Sequence, residues 1–208
     1  MGLLSSTVSL TQYRVEGEID GSFMDIVTDA LKHNTIREID NEPEEKSVGW
    51  TSFHTPFQPN FEGSSFMIGT HLVFGLRIDK KTIPSKVVAK HVKIAIDRRL
   101  KDSERESLHK NEKTEIKDEV LRRLYTRMPA TPNIYDLIWN YEGKILWFFT
   151  NLKAANEELE ILFSKSFKLS LVRMFPYTAA LLTCDLADPQ KDALEKLSPT
   201  TFFRGTHA

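Results

Sequence analysis

The stretch His71-Leu-Val-Phe-Gly-Leu-Arg-Ile78 sets the strongest constraint on what this chain can fold into. Leu72, Phe74, Leu76 and Ile78 recur at every second position, with His71, Gly75 and Arg77 on the alternate ones. A period of two marks an extended segment with one face in the core and the other toward water. A half-buried strand cannot stand alone, so the rest of the chain must supply a sheet and a cover for its apolar face.

The flanking segments supply both. Residues 8–19 contain Tyr13 and Val15 in partial alternation and read as a first strand. From Phe23 to Ile36 apolar residues fall at 23, 26, 27, 30 and 31, a helical spacing. The acidic segment Asp-Asn-Glu-Pro-Glu-Glu-Lys, 40–46, reads as a surface connection. In residues 49–65 the prolines argue against regular structure, and the phenylalanines read as pins that hold a loop to the core. Pro84 and Ser85 stop the extended chain and offer an N-cap. A long helix is expected from Lys86 to about Leu108, with Val88, Val92, Ala95 and Ile96 on one side. Ser103 and Glu106 have capping-box spacing and predict a break and restart near Lys101, after which Ile116, Val120 and Leu124 continue a helical seam. Pro129 and Pro132 end it.

Residues 134–151 read as an aromatic-rich hairpin turning at Glu142-Gly143. Asn151 is placed as the cap of a helix carrying Leu152, Ala155, Leu159, Leu162 and Phe163, and residues 171–183 as one or two strands closing the sheet. The segment from Asp185, with Pro189 and Pro199, reads as a weakly ordered tail. This order gives the α+β class with a largely antiparallel sheet. The domain expectation is one unit over residues 1–184, divisible into sheet portions 1–79 and 128–184 and a helical portion 80–127, followed by a tail over 185–208.

With 208 residues, 40% of them hydrophobic, the chain can bury a core without staples. Its single Cys184 precludes an intrachain disulfide, and no long apolar run predicts a membrane span, so an intracellular, cytoplasmic protein is expected. Net charge is −1, which says nothing of partners. Its distribution does: residues 80–127 hold 15 Lys/Arg against 8 Asp/Glu, leaving 13 against 21 elsewhere. Segregation of this kind points to a directional electrostatic surface.

Motifs for phosphate-cradling loops, zincin helices and hydrolase elbows are absent, and the six histidines form no pair at metal-ligand spacing, so no catalytic residue, cofactor or metal is expected. Glu115-Ile116-Lys117 has the acid-x-lysine form found in metal nucleases, but it lies in a charge-dense helical stretch that reads equally as a solvated face. The basic residues remain. Lys80, Lys81, Lys86, Lys90, Lys93, Lys101, Lys113, Lys117, Arg122, Arg123 and Arg127 are the candidate DNA-contacting set, because cations one helical turn apart can follow a phosphate backbone without reading sequence. The bland reading is a solubilising face whose lysines pair with Asp97, Asp102, Glu104 and Glu106.

Gly49-Trp50, the strand at 71–78, Lys-Lys-Thr-Ile-Pro-Ser-Lys-Val-Val at 80–88, Glu-Lys-Thr-Glu-Ile-Lys-Asp-Glu-Val-Leu at 112–121, the hairpin at 137–151 and the helix at 154–167 follow in an order that resembles the bacterial RdgC family, associated with recombination. The resemblance runs from the first strand to about Pro176, and the chain reads as a shortened member. It implies non-specific double-stranded DNA binding around recombination and replication, a ring-like homodimer with a basic hole, a nucleoid location, and recombination proteins as further partners. Some family names carry the word exonuclease, but the sequence offers that label no site. Where the family commonly reads Pro-Arg-Ala-Phe, this chain has Thr126-Arg127-Met128-Pro129, matching at Arg127 and lacking the aromatic. Two other readings stay open: a protein-interaction or inhibitor module on the same scaffold, and a metal-dependent exonuclease.

Overall fold

The alternation at 71–78 forms a strand, and that strand is the axis of a seven-stranded sheet. The computed structural model describes residues 2–63 and 65–198. Along the chain the elements are β1 (Thr11–Glu16), α1 (Phe23–His33), β2 (Lys46–Ser52), β3 (Met67–Ile68), β4 (His71–Lys80), α2 (Ser85–Ser103) and α3 (Lys110–Arg127). There follow β5 (Thr131–Asn140), β6 (Ile145–Phe148), α4 (Lys153–Phe167), β7 (Ser170–Arg173), α5 (Pro176–Thr183) and α6 (Asp188–Glu195). The strand order is β2-β4-β5-β6-β1-β7, with β3 also on β4, and every pairing is antiparallel. The α+β class read from the sequence is the one that forms.

β4 and β5 pair along their whole length, from His71 opposite Asn140 to Lys80 opposite Thr131. Everything between them therefore leaves and re-enters the sheet at one end. On one face Leu72, Phe74, Leu76, Leu137, Trp139, Leu146, Phe148 and Tyr13 make the core, roofed by Val27 and Leu31 of α1 and by Leu159, Phe163 and Phe167 of α4. Each such side chain contributes about 1.5–3 kcal/mol on burial, and α4 is tied to the sheet as well by the ion pairs Arg173–Glu160 and Lys46–Glu158.

Several expectations are corrected. Residues 46–52, read as connection and loop, form β2; Pro56 and Pro59 lie beyond Ser52, so they end the strand instead of forbidding it. α2 stops at Ser103, with Glu104 in the left-handed region at φ 51°, and α3 restarts at Lys110. The Ser103 hydroxyl donates backward to the Arg99 carbonyl at 2.7 Å, so it closes one helix and caps none. The working cap is Glu112, whose carboxylate accepts the His109 N–H at 2.9 Å. α4 begins at Lys153 with Leu152 as its N-cap, not Asn151. After β7 the expected second strand is α5, and the tail contains α6; Pro199 lies outside the described residues. The hairpin turn at 141–144 forms where expected, though its left-handed residue is Lys144 and not Gly143.

The polar face of β4 is also not a solvent face. Arg77 is 4% exposed and Asp79 1%. Arg77 Nε and Nη2 donate to the two Asp79 carboxylate oxygens at 2.8 and 2.6 Å, and Nη2 donates to Glu38 at 2.8 Å. The returning segment after β2 covers them, with Phe57 against the guanidinium and the Thr51 hydroxyl donating to the Pro56 carbonyl. Burial works against the Arg77 charge, but the hydrogen bonds it donates to Asp79 and Glu38, with their negative charge, outweigh it and raise its pKa. A period-two pattern cannot distinguish an Arg facing water from one facing a buried carboxylate.

Gly49 sits where the chain after α1 crosses β2: Thr35 bridges Trp50, and a Cβ at 49 would lie 2.4 Å from the Ile36 backbone. Gly49→Ala is expected to cost about 3 kcal/mol, read as a lower urea midpoint at unchanged m-value. Asp79→Ala leaves the Arg77 charge short of its forked partner and is expected to cost about 3 kcal/mol, with Arg77→Met/Asp79→Leu recovering much of it in the same measurement.

Candidate nucleic-acid interface

α2 and α3 lie against each other as a helical hairpin whose strongest packing is internal. α2 has no fully buried residue and α3 only Val120. Val88, Val92, Ala95 and Ile96 of α2 and Ile116 and Leu124 of α3 are half-buried, with Val120 buried, on the apolar sides that the helical spacing predicted; Leu100 and Leu121 are half-buried too. With so thin a core the helices lean on strong helix formers, the Lys, Arg and Leu common to both, with Ala in α2 and Glu in α3. At the tip, Arg105 Nη2 donates to Glu112 at 2.6 Å while that carboxylate also takes the His109 N–H. The Arg105 hydrogen bond, followed by the His109 one, holds the Glu112 carboxyl below its ordinary range.

The candidate basic residues do not share one environment. Lys86, Lys90, Lys93 and Lys101 are exposed and run along one line of α2 at helical spacing, interrupted by Asp97. Lys113 and Lys117 form a second exposed pair, one turn apart on α3, while Arg122 points elsewhere on the same helix. Arg123 and Arg127 turn toward α2 and line an open groove of about 470 Å³ between the helices. Lys80 is exposed at the end of β4, opposite Lys46 of β2. Lys81 is a correction: it is 1% exposed, and its Nζ donates to the carbonyl oxygens of Asp40, Glu42 and Tyr125 at 3.1, 2.7 and 2.7 Å. A side chain with all three donors spent inside the fold cannot reach a phosphate.

Sequence reasoning passed over Arg98, Arg99 and His91, which line the groove with Arg123 and Arg127. The signal was available, since Arg98 and Arg99 stand three and four residues beyond Ala95 and so share its side of α2. The groove is not uniformly basic, because Asp102, Glu112, Glu115 and Glu119 line it too. Even so, among the described residues the one ion pair of the hairpin is Arg105–Glu112. The α2 lysines do not pair off with Asp97, Asp102, Glu104 or Glu106 as the bland reading required.

Glu115 lines the groove and Lys117 does not, as a spacing of two dictates on a helix, so the acid-x-lysine pair does not converge. No group of three or more His, Cys, Asp or Glu among the described residues is arranged to hold a metal ion, and no helix among them is long and apolar enough to cross a membrane.

An antiparallel sheet backed by two helices, with a protruding basic hairpin inserted between its central strands, defines a scaffold built to present charge away from its core. The family described as "Putative exonuclease, RdgC" matches residues 8–184, and the chain belongs to the RdgC family. At family level it is a recombination-associated protein. No curated protein matches the chain.

The Glu112 cap gives the hairpin tip a defined pH response. A carboxyl lowered in the fold stabilises above its ordinary range and loses that contribution as pH falls through the lowered value. Protection factors over residues 110–114, each referred to the intrinsic exchange rate at that pH, are expected to fall on acidification below the ordinary carboxyl value of 4.5, and Arg105→Ala is expected to bring that loss to higher pH.

Proposed function

We propose that this protein binds double-stranded DNA without sequence preference through the α2–α3 hairpin, in the service of recombination and replication, and acts as a homodimer. The observation that carries the reading is the exposed, unpaired line of Lys86, Lys90, Lys93 and Lys101 along α2. Lysines held one turn apart on a rigid rod meet successive phosphates and release condensed counterions on contact. Backbone contacts of this kind position a duplex and read no bases. Lys113, Lys117 and Lys80 extend the charged surface, and Arg122, Arg123 and Arg127 add cations on the other sides of α3.

Val87 and Ile94 on α2 are 38% and 52% exposed, and Ile94 lies beside the mixed-charge groove. Apolar positions flanked by both signs of charge suit pairing with a second copy, in which acidic and basic ends meet across a two-fold axis. The binding role is favoured over an exonuclease role, because the acid-x-lysine pair faces two directions. Labelled linear duplex incubated with magnesium or manganese tests that preference, and shortening of the label that requires the metal would reverse it.

Fluorescence anisotropy with two unrelated duplexes at several salt concentrations tests the main reading. Both are expected to bind alike, with affinity falling linearly on a log–log salt plot. Lys90→Glu/Lys93→Glu is expected to weaken both equally, by roughly tenfold at low salt, and to flatten the slope by about 2. Absence of salt-sensitive binding at low ionic strength, or a loss confined to one sequence, removes the proposal. Solution mass with and without duplex checks the dimer, and a monomer without DNA affinity points to a protein-interaction module instead.

A further inference from the structure

We infer that Lys81 is a latch that fixes the angle between the α2–α3 hairpin and the sheet. The hairpin is an arm joined to the body by two short non-regular connectors, 81–84 and 128–130, each containing a proline. Along its length it lacks the burial that would dock it, since α2 contributes no buried residue and α3 only Val120. Its ties to the body are concentrated at the base, and they converge on residues 40–45. The Lys81 N–H donates to the Glu45 carbonyl at 2.9 Å, and the Asp40 carboxylate accepts the Ala130 N–H at 2.8 Å. Burial and the neighbouring Glu45 carboxylate raise the Tyr125 phenol.

The Lys81 side chain joins all three segments. Its backbone continues β4; its ammonium reaches two carbonyls of the connection before β2 and one carbonyl in the last turn of α3. A cation at a helix C-terminus is favoured by the peptide dipoles there, and the burial is tolerated because every N–H has an acceptor. Without that ammonium, the Asp40, Glu42 and Tyr125 carbonyls lose a charged donor together, and the base keeps the two backbone N–H bonds to Glu45 and Asp40. A helix of 19 residues is about 28 Å long, so even a small tilt at its base carries the tip several ångströms.

The arm can be watched directly, independently of any ligand. In a Cys184→Ser background, spin labels at Ser107→Cys on the tip and Glu157→Cys on α4 report the tip-to-body distance. The protein with Lys81 intact is expected to give one narrow distribution, and Lys81→Met a broader, shifted one while far-UV helicity and the aromatic near-UV signal stay native. Lys81→Gln, shorter and with fewer donors, is expected to fall between them. A broad distribution with Lys81 intact overturns the inference even if the variants do not fold. So does a narrow, unshifted one in folded Lys81→Met. Because the readout contains no DNA, its failure is distinct from failure of the binding proposal.

Discussion

The β4–β5 ladder is the constraint from which the rest follows. Ten residues of each strand are matched in register, so the 50 residues between Lys80 and Thr131 must begin and end at adjacent points on one edge of the molecule. A loop closed that tightly has two options: to fold back over the sheet or to leave as a self-supporting unit. Folding back would require an apolar face wide enough to compete with α1 and α4, whose Val27, Leu31, Leu159 and Phe163 already fill the core side. The other face near β4 is occupied by the segment that covers Arg77 and Asp79. The intervening chain, rich in charge and thin in apolar residues, leaves.

Leaving has an electrostatic consequence. Inside a compact domain, 15 cations and 8 anions in one stretch would be distributed among partners; on an arm with solvent on most sides they keep their hydration and do not need pairs. This is why the near-neutral total of the chain misleads. Its charge is held as a basic arm on an acidic-leaning body, and the field outside the arm is set by the arm alone within a Debye length of about 8 Å at physiological salt. Along the α2 line Lys86, Lys90 and Lys93 are exposed in succession before Asp97 interrupts them.

The parts of the fold that were legible in sequence are those governed by a local period. β4, α1, the seam of α2 with α3 and the turn at 141–144 each state themselves within a dozen residues. What was hidden depends on distant partners. β2 looked like loop because its prolines sit just past its end, and its Gly49 makes sense only once the backbone of Ile36 is known to cross it. The tip break was predicted from Ser103 and Glu106, but the tertiary hydrogen bond of Arg105 to Glu112 moved the cap to His109. For the site, exposure of the α2 lysines followed from their helical spacing, whereas the groove arginines needed the packing of two helices to be assembled.

Lys80 and Lys81 show most sharply why residue type is a poor guide to role. They are neighbours of identical chemistry at the end of one strand. Strand geometry sends consecutive side chains to opposite faces, so at most one of them can follow Lys46 toward solvent. The other is delivered to a pocket of three carbonyls formed by the connection before β2 and the end of α3. A neutral apolar residue there would remove a donor from all three acceptors, leaving Tyr125 only the Met128 N–H, and an arginine would present a flat fork to a three-sided socket. Lysine, a compact tripod on a flexible stem, is the side chain that satisfies it. The same three-donor head is thus left exposed beside Lys46 at one position and spent on three carbonyls at the next.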